Sequence, residues 1–127
     1  MRTSLWIAVG LLIVVAAAGV LTSAQMREIS DRYVAVAEEL FVLAAQEDWN
    51  RSAETAASCL AGWRGLVPKL QMLINHDDTD AVTLALVRLQ AAIAARDAAG
   101  ALTACAELRE NAQHLYHRDA FTWANVL

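Results

Sequence analysis

The sequence predicts an all-α protein, in which an N-terminal transmembrane helix continues into an up-down antiparallel bundle of about four helices. The chain of 127 residues holds only one Pro and five Gly and is rich in Ala and Leu, a helix-forming composition. Residues 5–21 are almost continuously apolar, and later apolar residues recur every three or four positions. We therefore expect an anchor at residues 1–24 and a helical bundle domain at residues 25–127.

The uncharged stretch at residues 3–26 is long enough to cross a bilayer as a helix. A cleaved signal peptide is the competing interpretation, because Thr22-Ser23-Ala24 offers small residues at a plausible cleavage position. The apolar run is longer than signal peptides usually carry, which favours an uncleaved anchor. Arg2 precedes the segment while Arg27 and Arg32 follow it, so the positive-inside rule leaves the orientation open.

The first bundle helix is expected to continue directly from the anchor, since no Pro or Gly interrupts residues 25–46. Glu47-Asp48-Trp49-Asn50 marks its end, and Asp48 or Asn50 is a candidate N-cap for the next helix. The second helix is indicated by apolar residues at helical spacing: Ala53, Ala56, Ala57, Leu60, Trp63, Val67, Leu70 and Ile74.

The second half of the bundle begins after a polar connector, Asn75-His76-Asp77-Asp78-Thr79-Asp80. A third helix then presents Val82, Leu86, Leu89 and Ile93 on one face, and a turn at 97–100 leads to a fourth helix. Residues 118–127 are expected to leave that helix and fold back on the bundle. Short connections require antiparallel neighbours, and a tetratricopeptide-like stack is the second-ranked arrangement.

The charge balance restricts the partners. The net charge is −4, and the basic residues form no stripe along any predicted helix. Nucleic acid is therefore excluded as an expected partner, because its binding depends on neutralising phosphates with Lys and Arg. A broad electrostatic contact with anionic lipid is disfavoured for the same reason.

Several short motifs, taken in order, resemble domain-of-unknown-function family 4363, a family of small membrane-anchored bacterial proteins. The motifs are Glu47-Asp48-Trp49, Trp63, the 75–80 connector, Val87-Arg88-Leu89, Glu107-Leu108 and Asn125-Val126-Leu127. The resemblance covers nearly the whole chain and implies a membrane helix followed by a helical domain. It implies no activity. Pro68, the two Cys and the Ala-rich helices depart from the family's pattern.

A metal site is the most suggestive chemistry in the sequence. His76 and Asp78 lie in the connector, and His114 and His117 near the end of the fourth helix could approach them. The competing interpretation is structural, because acids suit a helix start and histidines suit a helix end. No ligand spacing matches a strong metal motif, so we expect no metal and no cofactor.

The cysteines and tryptophans supply two further candidates. Cys59 and Cys105 lie on helices expected to be neighbours, where they either form a disulfide or pack as small apolar thiols. Trp63 falls on the apolar stripe and is predicted to be core. Trp49 and Trp123 are the candidates for an interaction surface.

The leading functional hypothesis is a non-enzymatic interaction or accessory module of the bacterial cell envelope. The anchor makes the membrane one partner, and another envelope or membrane protein is the expected second; a homo-oligomer stays open. The bundle is expected to be extracytoplasmic on a single-pass anchor. The alternative is an extracytoplasmic sensor or ligand- or metal-binding domain that uses the His/Asp-rich end. An enzyme is not expected, because no nucleophile or acid–base constellation is evident.

Overall fold

The computed structural model confirms the all-α prediction and describes the backbone of residues 1–126 and the side chains of residues 1–116. The four helices are α1 (Arg2–Ala45), α2 (Trp49–Leu70), α3 (His76–Ala94) and α4 (Ala98–Val126). No strand occurs among the described residues. The chain therefore consists of helices joined by three connections of three to five residues.

The four helices close into a ring. α1 packs most extensively against α4, α4 packs against α3, and α3 packs against α2. The smaller contact between α1 and α2 completes the ring. This arrangement is an up-down bundle, so the tetratricopeptide-like stack is not the fold. In such a ring α2 and α4 lie diagonally opposite each other, and so do α1 and α3.

Each helix contributes a stripe of buried residues to one shared core. In α1 the buried positions alternate between steps of four and three: Met26, Ser30, Tyr33, Ala37, Leu40 and Ala44. The same alternation in α3 buries Thr79, Val82, Leu86, Leu89 and Ile93. Steps of three and four keep one face of a helix turned towards its neighbours at a shallow crossing angle. Met26 is the first buried residue of α1, so the described core begins there.

The turn between α1 and α2 satisfies the exposed backbone groups of both helices. The N–H of Glu47 donates to the carbonyl of Ala44, and the N–H of Asp48 donates to the carbonyl of Leu43, both at 3.0 Å. This is a Schellman ending, which normally uses Gly at the left-handed position; here Glu47 takes it with φ 57°. The Asp48 carboxylate then caps α2 by accepting from the N–H of Arg51 at 3.3 Å. The predicted cap at Asp48 is confirmed.

The turn between α3 and α4 repeats this geometry. Arg96 occupies the left-handed position with φ 53°, and the N–H of Asp97 donates to the carbonyl of Ala92 at 2.9 Å. The Asp97 carboxylate accepts from the N–H of Gly100 at 3.0 Å and so caps α4. The turn lies at residues 95–97, earlier than the expected turn at 97–100, because Ala98 already begins the helix.

The connection between α2 and α3 lies earlier in the chain than the predicted polar connector at residues 75–80. Pro68 lies in the last turn of α2, and the chain leaves the helix at Gln71. Asn75 is the N-cap of α3, its side chain accepting from the N–H of Asp77 at 3.2 Å. Residues 76–80 therefore belong to the helix rather than to a loop, since acids in a first turn are favoured by the helix dipole.

The C-terminal segment also differs from the prediction. Its backbone continues α4 to Val126 instead of folding back at residue 118. No Gly or Pro occurs after residue 100, so nothing in the local sequence ends the helix. The side chains of residues 117–127 lie outside the described part of the chain.

Trp63 is the largest side chain in the core and is fully buried, as predicted. Its ring meets the Tyr33 ring edge-on, with centroids 5.1 Å apart and planes at 77°. Its indole N–H donates to the Thr83 hydroxyl at 2.8 Å, and that hydroxyl donates to the carbonyl of Thr79 at 3.0 Å. A single residue of α2 thus contacts both α1 and α3, and its buried donor is satisfied.

We expect Thr83→Val to destabilise the bundle by about 1–3 kcal/mol, because the shape is kept while the buried indole N–H loses its acceptor. Urea unfolding of the variant and the unchanged chain measures the difference. Thr103→Val is the matched control: the Thr103 hydroxyl also donates to the carbonyl four residues earlier, but it is exposed. Equal losses in the two variants would contradict the assigned role of Thr83.

We expect Ser52→Ala to raise the free energy of unfolding by about 1 kcal/mol more than a neutral surface change, because a buried hydroxyl without a partner is costly. Ser52 is fully buried, and its hydroxyl has no hydrogen-bond partner. Ser58→Ala on the exposed side of the same helix gives the gain from helix propensity alone. A Ser52→Ala gain no larger than the Ser58→Ala gain would contradict the expectation.

Candidate functional site

Among the described residues, the first half of α1 is exposed over most of its length. Its most apolar 18-residue window is 0% buried, and within the described residues this is the one helix long and apolar enough to cross a membrane. The exposed large side chains there include Leu5, Trp6, Ile7, Leu11, Leu12, Ile13, Val14, Val15, Val20 and Leu21. This surface is consistent with a single-pass anchor or with a signal sequence.

The end of the bundle next to this apolar half, here called the proximal end, is where α1 first packs. The Ser30 hydroxyl donates to the carbonyl of Ala112 at 2.7 Å, and the Arg27 guanidinium lies 5.9 Å from the Tyr116 ring centroid. These contacts show that α4 runs antiparallel to α1 with its C-terminal half at the proximal end. The α2–α3 connection lies at this end too, since Leu73 shares a small cleft of about 250 Å³ with residues of α1.

A larger groove of about 670 Å³ lies between α1 and α4, and we call it the α1–α4 groove. It is lined by Ala37, Glu38, Phe41, Val42, Cys105, Ala106, Arg109, Glu110 and Gln113. Phe41 and Val42 are 44% and 52% exposed, and the Arg109 guanidinium lies 3.6 Å from the Glu38 carboxylate. The groove therefore combines an apolar wall with an exposed ion pair, a composition suited to a peptide or helix surface.

Trp49 lies at the far end of the bundle, away from the apolar half of α1. It is half-buried and packs against the core, and it lines a shallow groove of about 540 Å³ between α2 and α3 with Ile93 and Arg96. Part of the indole is therefore used for packing, and the rest is exposed along this groove. Trp123, the other residue proposed for an interaction surface, lies outside the described side chains.

The metal candidates are spread over two helices. His76 is the first residue of α3, Asp78 lies in its first turn, and the His114 imidazole lies 3.4 Å from the Glu110 carboxylate of its own helix. His117 lies outside the described side chains. Over residues 1–116, no three His, Cys, Asp or Glu side chains form a group that could hold a metal ion. The arrangement of the described candidates is that of helix-start and helix-surface residues.

The two cysteines are free thiols, and the suggested disulfide is not present. The expectation that they lie on neighbouring helices was wrong, because α2 and α4 are diagonal in the ring. Cys105 is buried beside the α1–α4 groove, and Cys59 is half-buried close to Tyr33. Burial raises the pKa of each thiol from 9.0 to about 11, which keeps both protonated near neutral pH.

Two surfaces of the structure were not predicted from the sequence: the α1–α4 groove, and the α2–α3 connection, where Met72 and Leu73 are exposed. The α1–α4 groove depends on which helices become neighbours, and no local pattern reveals that. The apolar turn at Met72 and Leu73 did leave a signal: it is an uncharged connection, whereas the two other connections carry charged residues at their centres.

Comparison with known proteins gives one match. A family model described as "Domain of unknown function (DUF4363)" matches residues 20–126. The match begins in the last part of the apolar half of α1 and includes the whole bundle. No curated protein and no solved structure matches the chain.

We expect both native thiols to be alkylated about 100-fold more slowly at pH 8 than a free thiol, because a pKa near 11 lowers the thiolate fraction by that factor. Mass spectrometry of maleimide adducts measures the rates. The unfolding free energy should also fall as pH rises from 9 towards 11, since the folded chain holds these protons more tightly than the unfolded chain. Gln46→Cys supplies an exposed thiol at the far end of the bundle as the fast control, and native thiols that react as fast would contradict the expectation.

Proposed function

Because the chain belongs to the DUF4363 family, whose description assigns no activity, we propose a function from its geometry: a membrane-anchored, non-enzymatic interaction module of the cell envelope. One observation carries the proposal. A single helix of 44 residues presents a bare apolar surface over its first half and supplies a core stripe of the bundle over its second half. The bundle is a rigid extension of the segment proposed to cross the membrane.

The continuity of α1 supports an interaction role because it fixes the bundle at the membrane surface. A bundle held there meets mainly other membrane-bound chains, since their search is confined to the same surface. The α1–α4 groove runs along α1 itself, so a partner helix that leaves the bilayer beside α1 can lie in it. We therefore propose another envelope or membrane protein, or a second copy of this chain, as the partner in an extracytoplasmic setting.

The groove suits a protein partner more than a substrate. Phe41 and Val42 offer exposed apolar area, and Glu38 with Arg109 adds charges that can set the register of a docked helix. The Cys105 thiol lines the groove and could act as a nucleophile only as a thiolate. Burial raises its pKa to about 11, which argues against covalent catalysis there. The scattered basic side chains argue against nucleic acid.

The alternative is a sensor or ligand-binding domain. The His/Asp-rich end gives this alternative less support than the α1–α4 groove, whose volume of about 670 Å³ is within the range of small-molecule sites. A ligand of that groove would raise the melting temperature of the folded bundle, since ligands that bind only the folded state stabilise it. The groove is open and carries an exposed ion pair, so we rank this function second.

We expect the full chain, tagged at its C-terminus, to remain with membranes after alkaline carbonate and to recover a membrane protein or a second copy after gentle solubilisation. Phe41→Ser/Val42→Ser should reduce that recovery several-fold while leaving membrane attachment unchanged, because both residues are exposed on the groove and outside the core.

The matched control is Leu84→Ser/Val87→Ser, which removes exposed apolar residues from α3 instead of the groove. Circular dichroism verifies that both variants fold. Recovery of the chain alone as a monomer would contradict the interaction role, and release of the unchanged chain by carbonate would contradict the anchor. Equal losses in both double variants would contradict the assignment of the groove.

A further inference from the structure

The two ends of the bundle differ in polarity. At the far end, the turns after α1 and α3 are built around charged residues, Glu47-Asp48 and Arg96-Asp97. At the proximal end, the connection between α2 and α3 carries no charge from residue 70 to residue 75. Its central residues point into solvent, with Met72 85% and Leu73 54% exposed. Exposing two large apolar side chains in one turn is unfavourable in water, so the site indicates an apolar environment.

The position of this turn along α1 identifies that environment. Leu73 lines a cleft with α1 residues from Gln25 to Arg32, which is where the uncharged stretch ends and the first charged side chains follow. The uncharged stretch from residue 3 to residue 26 is about 36 Å long at 1.5 Å per residue, against about 30 Å for a hydrocarbon core. Its last residues, and the turn beside them, therefore lie at the level of the lipid headgroups and upper acyl chains.

The α2–α3 turn is held at the headgroup level because its neighbours on α2 and on α1 are packed into the core. Leu70, three residues before Leu73, is 3% exposed, and Met26 on α1 is 1% exposed. α1 is helical without interruption from Arg2 to Ala45, so the bundle cannot tilt away from the span without breaking helix. The turn cannot leave the interface while α1 remains in the bilayer.

We propose that Met72 and Leu73 insert into the interfacial layer of the bilayer that holds α1, as a second membrane contact of the bundle. The proposal rests on the membrane anchoring proposed above. Charges of both signs flank the turn, Lys69 on α2 and Asp77 on α3, so the contact needs no anionic lipid. A zwitterionic bilayer is therefore sufficient as the occupant of this surface.

The test uses the full chain in nanodiscs of phosphatidylcholine, with an environment-sensitive fluorophore on one introduced cysteine at a time. Met72→Cys and Leu73→Cys report on the turn, Gln46→Cys reports on the far end, and Val14→Cys reports on the span. All four sites are exposed, so labelling leaves the core intact. Cys59→Ala and Cys105→Ala remove the native thiols, and circular dichroism of this background is compared with that of the unchanged chain.

Lipids with a nitroxide near the headgroup should quench the probes at 72 and 73, with a blue shift of emission, and should leave the probe at 46 unquenched. Raising the salt concentration should not change this quenching. Lipids with a nitroxide near the end of the acyl chain test the probe at 14, which lies near the middle of the span. A probe at 14 quenched by those lipids, together with probes at 72 and 73 that headgroup nitroxides do not quench, would overturn the second contact while leaving the anchor standing. A probe at 14 that the acyl-chain nitroxide does not quench would overturn both. If the cysteine-free background is misfolded, selective labelling of the exposed introduced thiol in the native background replaces it.

Discussion

The structure depends on one constraint, which is that α1 must satisfy two different environments along a single unbroken helix. Over its first half, side chains are apolar on every face, and within the described residues the most apolar 18-residue window is 0% buried. From Met26 onward, the buried side chains form one stripe, and the other faces carry the charged residues of the helix together with the exposed Phe41 and Val42. A uniformly apolar helix requires a surrounding apolar medium, whereas a striped helix requires other helices on one side. The change between the two patterns decides where the bundle begins.

The core of the bundle is joined by a few polar contacts as well as by apolar packing. Trp63 touches α1 through the Tyr33 ring and α3 through the Thr83 hydroxyl, and the Ser30 hydroxyl ties α1 to the backbone of α4. Ala-rich stripes pack closely but offer little shape to distinguish one vertical register from another. Directional contacts supply that distinction, because a shift of one turn leaves a buried N–H or O–H without its acceptor.

The sequence predicted which segments form helices more accurately than it predicted where each helix begins and ends. It was least accurate about which helices lie next to each other. Helical spacing identified the four helices and placed Trp63 in the core, because burial imposes a period that can be read directly. It misplaced the start of α3, since Asn75 and the acids after it suit both a connector and a capped first turn. It also paired the helices of Cys59 and Cys105 as neighbours, although ring order follows from packing among all four helices. The α1–α4 groove could not be predicted for the same reason, while the DUF4363 assignment followed from short motifs in order.

The unbroken backbone of α1 from Arg2 to Ala45 couples rotation as well as position. One residue inserted or removed between the apolar half and Met26 would turn the bundle by about 100° about the helix axis and move it by about 1.5 Å. The number of residues in that short stretch therefore sets the rotational orientation of every bundle surface about the axis of α1, relative to each face of the apolar half. An insertion or deletion before Met26 would change the rotation of the bundle relative to the apolar half of α1. It would leave the contacts within each of the two parts unchanged.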